Sequence, residues 1–219
     1  MDEFMSESEQ WEAVKRWVRE NAIWVVGGVV LGVLVLAGWR IWQERLERLA
    51  GEASSRYEQA LDAFGRNDRT RGLTLVDELR RDHGKSPYAD QADLLAARVA
   101  IDAGEFDQAA QRLKRVMDGS RDAELALVAR GRLARVYLEQ GKPDDALALV
   151  KSASKGAFEP RFEEVRGDAL LAKGDKAGAL AAYRAARAEA ASGAVDPGLL
   201  ELKITALEPA SDAAVAKAN

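Results

Sequence analysis

ARVAIDAGEFDQAAQRL, residues 97–113, is one complete unit of a pattern that the chain repeats. Gly104 stands at its centre, with the small residue Ala97 seven positions before it, Ala109 five after and Leu113 nine after. The same positions recur around Gly141 as Ala134, Ala146 and Val150, and around Gly174 as Gly167, Ala179 and Tyr183. The central glycines, at 104, 141 and 174, are 37 and 33 residues apart. A glycine in the left-handed conformation ends one helix, and the residues after it start the next. Small residues at the crossing point let the two helices of the hairpin approach closely. The larger apolar residues then fill the groove between neighbouring hairpins. No single hairpin buries its own apolar face, so stacking has to supply the core.

Working outward, a degenerate unit aligns ahead of these three. Tyr57, Leu61 and Phe64 form an apolar helical face, Asn67-Asp68 replaces the glycine turn, and Leu73, Val76 and Leu79 follow. Asn67 to Gly104 is again 37 residues. Ser86-Pro87 and Asp196-Pro197 each set an N-cap residue before a proline at the first helical position. The second pair opens a last helix, Pro197 to Leu207, suited to closing the stack. From Glu208 the chain turns small, polar and alanine-rich, which predicts a disordered tail. Ala, Leu, Arg and Glu dominate, prolines number five, and strand-like alternation is scarce, so the fold is read as all-α.

Toward the N-terminus lies NAIWVVGGVVLGVLVLAGW, residues 21–39, which carries no formal charge. As a helix it reaches about 29 Å, the hydrocarbon thickness of a bilayer. Trp24 near one end and Trp39 and Trp42 at the other stand where amphipathic rings favour headgroups. A cleaved signal is disfavoured, because the apolar run is long for one and ends in Trp39-Arg40-Ile41-Trp42 rather than a small-residue cleavage site. The expected organisation is a stub over 1–20, a transmembrane helix over 21–42, about four helical hairpins with a C-terminal capping helix over 43–207, and a tail over 208–219.

Orientation is not fixed by charge. Lys15, Arg16 and Arg19 flank the span on one side and Arg40, Arg45 and Arg48 on the other, a tie under the positive-inside rule. Gly28 and Gly32 form a G-x-x-x-G pair that would admit a second membrane helix, although glycine is common in such helices anyway. Ser6-x-x-Glu9 resembles a capping box. Beyond it, Trp11, Val14 and Val18 recur at helical spacing, either as an interfacial helix on the headgroups or as a lead-in to the anchor.

Composition excludes several classes of function. Cysteine is absent, so disulfides, thiolate metal sites and cysteine nucleophiles are ruled out. The net charge is −4; past Trp42 the 28 basic and 30 acidic residues leave −2, with no basic block for nucleic acid. The one histidine, His83, makes no zinc site and reads as a solvated loop residue. Gly27-Gly28 lies inside the apolar run and not after a strand, so no phosphate loop is present. Carboxylates sit beside Arg and Lys at helical spacing, as surface pairs do. Neither cofactor nor catalysis is indicated, and protein binding remains.

Period, glycine turn and small-residue offsets over 57–187 resemble the tetratricopeptide repeat, departing from it at Asp93, Arg130 and Glu163, where that repeat carries a large aromatic. The resemblance implies a concave face built from the first helix of each repeat. Arg98 and Ile101, Arg135 and Leu138, and Asp168 and Leu171 would face inward to bind an extended or helical segment. Leu94 and Arg98 stand where some such proteins place Lys and Asn for gripping a C-terminal carboxylate, which puts that clamp in doubt.

The order of acidic stub, Glu12-Ala13-Val14-Lys15-Arg16, Asn21, glycine-rich anchor, Gly38-Trp39-Arg40 and divergent repeats resembles the YfgM family of Gram-negative bacteria. Residues 166–176, RGDALLAKGDK, are similar to the family's final repeat. That resemblance implies an ancillary subunit of the SecYEG translocon in the inner membrane, N-terminus cytoplasmic and repeats periplasmic. It also implies association with the membrane-anchored chaperone PpiD and contact with unfolded client chains. A regulator that sequesters a stress-response component through the stub or anchor, and an envelope-assembly scaffold, stand as the alternatives.

Overall fold

The computed structural model describes residues 7–151, 156–188 and 195–208, which form helices and turns with no strand among them. Ser6 of the expected capping box, and the tail beyond Glu208, lie outside the described residues. The chain divides into two units, Met1–Glu52 and Ala53–Asn219.

The first unit holds α1 (Glu7–Glu20) and most of α2 (Ala22–Gly65). Asn21 separates them: its side-chain amide donates to the Trp17 carbonyl at 2.9 Å, and its own carbonyl accepts from Trp24 and Val25. Trp11, Val14, Trp17 and Val18 are exposed along α1. The apolar part of α2 has a mean hydropathy of 2.3 over its best window, none of it buried, and is long enough to cross a membrane. The helix does not stop where the apolar run does. Residues 43–65 contain no proline, and Arg40–Glu44 and Arg48–Glu52 pair one turn apart at 3.0 and 4.0 Å, so nothing interrupts the ladder until residue 66.

In the second unit the end of α2 is followed by α3 (Arg69–His83), α4 (Pro87–Asp102), α5 (Phe106–Gly119), α6 (Ala123–Glu139), α7 (Pro143–Lys151), α8 (Glu159–Ala172), α9 (Lys176–Ala188) and α10 (Pro197–Leu207). Four of the hairpin turns are closed by the same pair of backbone bonds. Gly104 N–H donates to Ile101 O at 2.9 Å and Glu105 N–H to Ala100 O at 2.8 Å. Gly141 with Lys142, Gly174 with Asp175, and Asn67 with Asp68 repeat the arrangement, which satisfies carbonyls that the ending helix leaves unpaired. The turn residue has φ of 73°, 69°, 84° and, for Asn67, 60°. Asparagine is the residue type other than glycine that tolerates this region best. Asn67 therefore does for the first hairpin what glycine does for the rest.

The small residues lie where the helices cross. Ala97, Ala134, Ala109, Ala146 and Ala179 are fully buried. The first hairpin carries the same offsets as Ala60 and Gly72, both buried. A Cβ on Gly167 would come within 2.4 Å of the buried Tyr183 ring, and one on Gly72 within 2.6 Å of Phe64. Leu113, Val76, Val150 and Tyr183 fill the positions nine residues past each turn. The apolar clusters bridge consecutive hairpins: α2, α3 and α4 share one, α4, α5 and α6 the next, α6, α7 and α8 a third, and α9 with α10 a fourth. Burying each leucine or valine there contributes roughly 1.5–3 kcal/mol before chain entropy is set against it.

One set of buried charges belongs to the core. Asp93, wholly buried on α4, accepts from Arg80 of α3 at 2.9 Å and from Arg112 of α5 at 3.0 Å, with Arg115 at 3.3 Å. Asp90, one turn earlier, takes Arg80 at 2.8 Å and the Ser120 hydroxyl at 2.7 Å. Arg112 also reaches Asp77 of α3 at 3.0 Å. Three carboxylates face three guanidiniums across α3, α4 and α5, so the departure from the aromatic pattern at Asp93 is an ion-pair rivet.

The caps follow the sequence signals. Ser86 accepts from Tyr88 N–H at 3.3 Å, and Asp196 from Gly198 and Leu199 N–H at 2.8 and 3.3 Å. His83 is half-buried as the last residue of α3.

Three consequences can be measured by urea denaturation of the full chain. Gly167→Val should destabilise by about 2–3 kcal/mol through overpacking against Tyr183. Gly131→Ala, whose Cβ would make an ordinary 3.5 Å contact with Phe162, should stabilise by up to about 1 kcal/mol through helix propensity. Asp93→Ala leaves Arg80, Arg112 and Arg115 facing an emptied site and should lose about 3–5 kcal/mol; an unchanged midpoint would show that the rivet is dispensable.

Candidate functional site

Each helix of the repeat unit packs on the one before it, and α4 also touches α6, and α6 touches α8. The first helices of successive hairpins thus lie side by side as one layer, with α5, α7 and α9 behind them. The end of α2 joins the same layer, with the Tyr57 and Tyr88 rings 6.0 Å apart across α2 and α4. At the other end α10 takes the next place beside α8, held by Lys203. Its ammonium donates to Glu164 at 2.9 Å and to Asp168 at 2.7 and 3.0 Å, both on α8.

The six expected binding residues divide into two kinds. Arg98 is largely exposed and only loosely paired, 3.9 Å from Asp102 one turn on. Leu171 is exposed at the end of α8. Ile101 and Leu138 are half-buried and pack against the core clusters on either side of α6, so each offers only part of its surface to a ligand. Arg135 donates to the buried Glu164 at 3.0 Å. Asp168 is occupied: besides Lys203 it accepts from the Tyr183 hydroxyl at 2.7 Å. Burial, then that hydrogen bond and the charges of Asp168 and Glu164, push the Tyr183 phenol up, so it stays a donor. The sequence pattern brings all six residues onto first helices but does not separate the free from the engaged.

Two further arginines on this layer were not among those six. Arg132 lies one turn before Arg135 on α6, exposed, and among the described residues no carboxylate pairs with it. Arg161 opens α8, and its Cδ lies 4.0 Å from where a Cβ on Gly131 would be, so its stem crosses from α8 to α6 over a residue with no side chain. Partial burial, and after it the charges of Arg161, Arg98 and Arg135, hold the Arg132 guanidinium below its usual affinity for a proton. The reading that took positions six and three before each turn glycine overlooked both, because Arg132 stands nine before Gly141 and Arg161 thirteen before Gly174.

Elsewhere, Arg69 of α3 clasps Glu105 at the next turn with its two terminal guanidinium nitrogens, one at 2.7 Å, and this pairing lowers the pKa of the Glu105 carboxyl. A cleft of about 520 Å³ opens beside this turn, lined by Gly104, Glu105, Phe106, Asp107, Gln140 and Lys142, with Gln140 bridging to Asp107 at 2.8 Å. Among the described residues no three His, Asp or Glu side chains converge as a metal site would need. Gly28 and Gly32 lie one turn apart on α2 with open space where a Cβ would be.

The tetratricopeptide repeat-like domain family matches residues 15–209. The chain is 33% identical over 187 residues to the ancillary SecYEG translocon subunit of Escherichia coli, covering 84% of this chain and 89% of that one. It is 30% identical over 203 residues to the protein of the same name from Aggregatibacter actinomycetemcomitans, covering 93% and 98%. A third protein so named, from Neisseria gonorrhoeae, is 26% identical over 205 residues. The match begins before the apolar run and continues past α10, taking in the anchor and every hairpin. The chain belongs to the YfgM family, within the tetratricopeptide repeat-like proteins.

Proposed function

We propose that this protein is a membrane-anchored, non-catalytic adaptor of the SecYEG translocon, holding a repeat-built binding surface beside the export channel. The observation that carries this reading is the match, over 84% and 93% of this chain, to relatives named ancillary SecYEG translocon subunits, together with an apolar helix of spanning length. In this reading the apolar part of α2 spans the inner membrane, the stub is cytoplasmic and the repeats lie in the periplasm. The first-helix layer, with Arg98, Ile101, Arg135, Leu138, Asp168 and Leu171, is the surface that meets a partner. That partner is the membrane-anchored chaperone PpiD or an unfolded chain leaving the channel. Gly28 and Gly32 form the face on which another membrane helix packs. Tethering raises the local concentration of both parties, so weak and adaptable contacts suffice.

Mild-detergent affinity purification with mass spectrometry tests the assignment. Channel subunits and the membrane chaperone should be enriched over an anchor-only control, and their absence sinks the proposal. Topology has a separate check: a reporter fused at Asn219 should be active only in the periplasm, and cytoplasmic activity reverses the orientation.

A further inference from the structure

α1 is a helix in its own right and not the first turns of the anchor. A single helix through this point would bond the Ala22, Ile23 and Trp24 N–H groups to the Val18, Arg19 and Glu20 carbonyls. Among the described residues none of these three bonds is made. The last bond of α1 runs from Asn21 N–H to Trp17 O at 2.9 Å, and Trp24 and Val25 bond to Asn21 O instead. Asn21 thus closes one helix and caps the next, and the break frees α1 to leave the axis of α2. At about 100° per residue, Trp11, Val14, Trp17 and Val18 fall within an arc of about 120°, and no other residue of 11–20 lies inside it. All four are exposed, the two tryptophans at 61% and 59%. Lys15 and Arg19 stand beside the Trp11 edge of the arc, and the Lys15 ammonium lies 5.5 Å from the Trp11 ring centroid. Glu12, Arg16 and Glu20 occupy the other side of the helix.

We propose that α1 lies flat on the bilayer that α2 crosses, with Trp11, Val14, Trp17 and Val18 sunk among the lipid headgroups and upper acyl chains. Position is the first reason to choose lipid as the occupant. α1 ends two residues before Ala22, where the apolar helix starts, so its C-terminal end is fixed at the boundary between water and hydrocarbon. Projecting along the axis of the span, it would carry Trp11 about 16 Å into water with both rings uncovered. Lying flat, it covers them. Tryptophan suits this layer, its ring going down while its N–H stays with the headgroups. The charges agree as well. Lys15 and Arg19 can reach phosphates along their stems, and Glu12 and Glu20 lie away from the arc. With four acidic and three basic residues α1 has no net positive charge, so apolar burial has to hold it and zwitterionic lipid suffices. A helix pinned in the surface beside a span limits how far that span can slide or tilt. The proposal rests on α2 spanning the membrane and is independent of the side on which the stub lies.

The chain has no cysteine, so single cysteine variants of the full chain each take one nitroxide spin label. Val14→Cys and Val18→Cys probe the arc, Ala13→Cys and Arg16→Cys the opposite face, and Val30→Cys the middle of the apolar run. In phosphatidylcholine nanodiscs, collision with oxygen against collision with a water-soluble nickel chelate reports the depth of each label. The labels at 14 and 18 should read about 5–10 Å into the headgroup–acyl boundary, those at 13 and 16 should read as water, and that at 30 should be deepest. Adding Trp11→Gln and Trp17→Gln should return the label at 14 to water and leave that at 30 unmoved, whereas Trp11→Phe and Trp17→Phe should keep both in lipid. Four α1 labels equally open to the chelate, or equally buried, overturn the proposal, as does a label at 14 that ignores the loss of both tryptophans. Dipolar broadening between labels at 14 without preference for oxygen assigns the arc to a second copy and overturns it too. A label at 30 in water sinks the anchor reading and this proposal together. A buried label at 30 beside water-exposed labels at 14 and 18 sinks the surface placement alone. No channel is present in this measurement, so its failure leaves translocon association standing, and a failed purification leaves the depth profile standing.

Discussion

Two helices can lie close only where neither has a bulky side chain at the crossing. In this repeat unit that constraint falls on Ala60, Ala97, Ala134 and Gly167, with Gly72, Ala109, Ala146 and Ala179 facing them. Tyr183 shows how tight the fit is, since its ring occupies the volume a Cβ on Gly167 would need. Close pairing brings the larger residues nine past each turn into the groove between hairpins, and that groove is the core. The left-handed turns, the apolar clusters and the shared first-helix layer all depend on it. Because every cluster bridges adjacent hairpins, cohesion is handed along the chain between nearest neighbours.

Charge does a second structural job that hydrophobic packing leaves undone. Around Asp93 three acids and three arginines hold α3, α4 and α5 in register. Around Glu164 and Asp168 a lysine, an arginine and a tyrosine do the same for α6, α8, α9 and α10. Such networks are sensitive to losing one member more than they add net stability, so they specify which helix packs on which.

Much of the architecture was legible because its rules are local. A turn glycine, a small residue at fixed offset and a capping Ser-Pro or Asp-Pro act within one hairpin, so spacing alone exposes them. The repeat over 57–187 and the last helix could therefore be read directly. Asp93 could be seen to break the aromatic pattern, but its partners stand 13, 19 and 22 residues away on two other helices, and no spacing rule connects them. The binding layer was legible in outline and not in detail. Position relative to the turn places a side chain on a face, but whether Asp168 is free or held by Lys203, 35 residues on, is decided only by folding.

The array begins and ends on the same side. The end of α2 enters it in the first-helix layer, α10 leaves it there, and α3, α5, α7 and α9 form a backing with no chain end in it. This is a matter of parity: hairpins add helices two at a time, and the single helix α10 restores an odd count. Inserting or deleting a whole hairpin would leave the first and last helices of the array in the same layer, whereas losing one helix would put them in opposite layers. A protein built this way can change length in evolution in steps of two helices without changing which layer its first and last helices occupy.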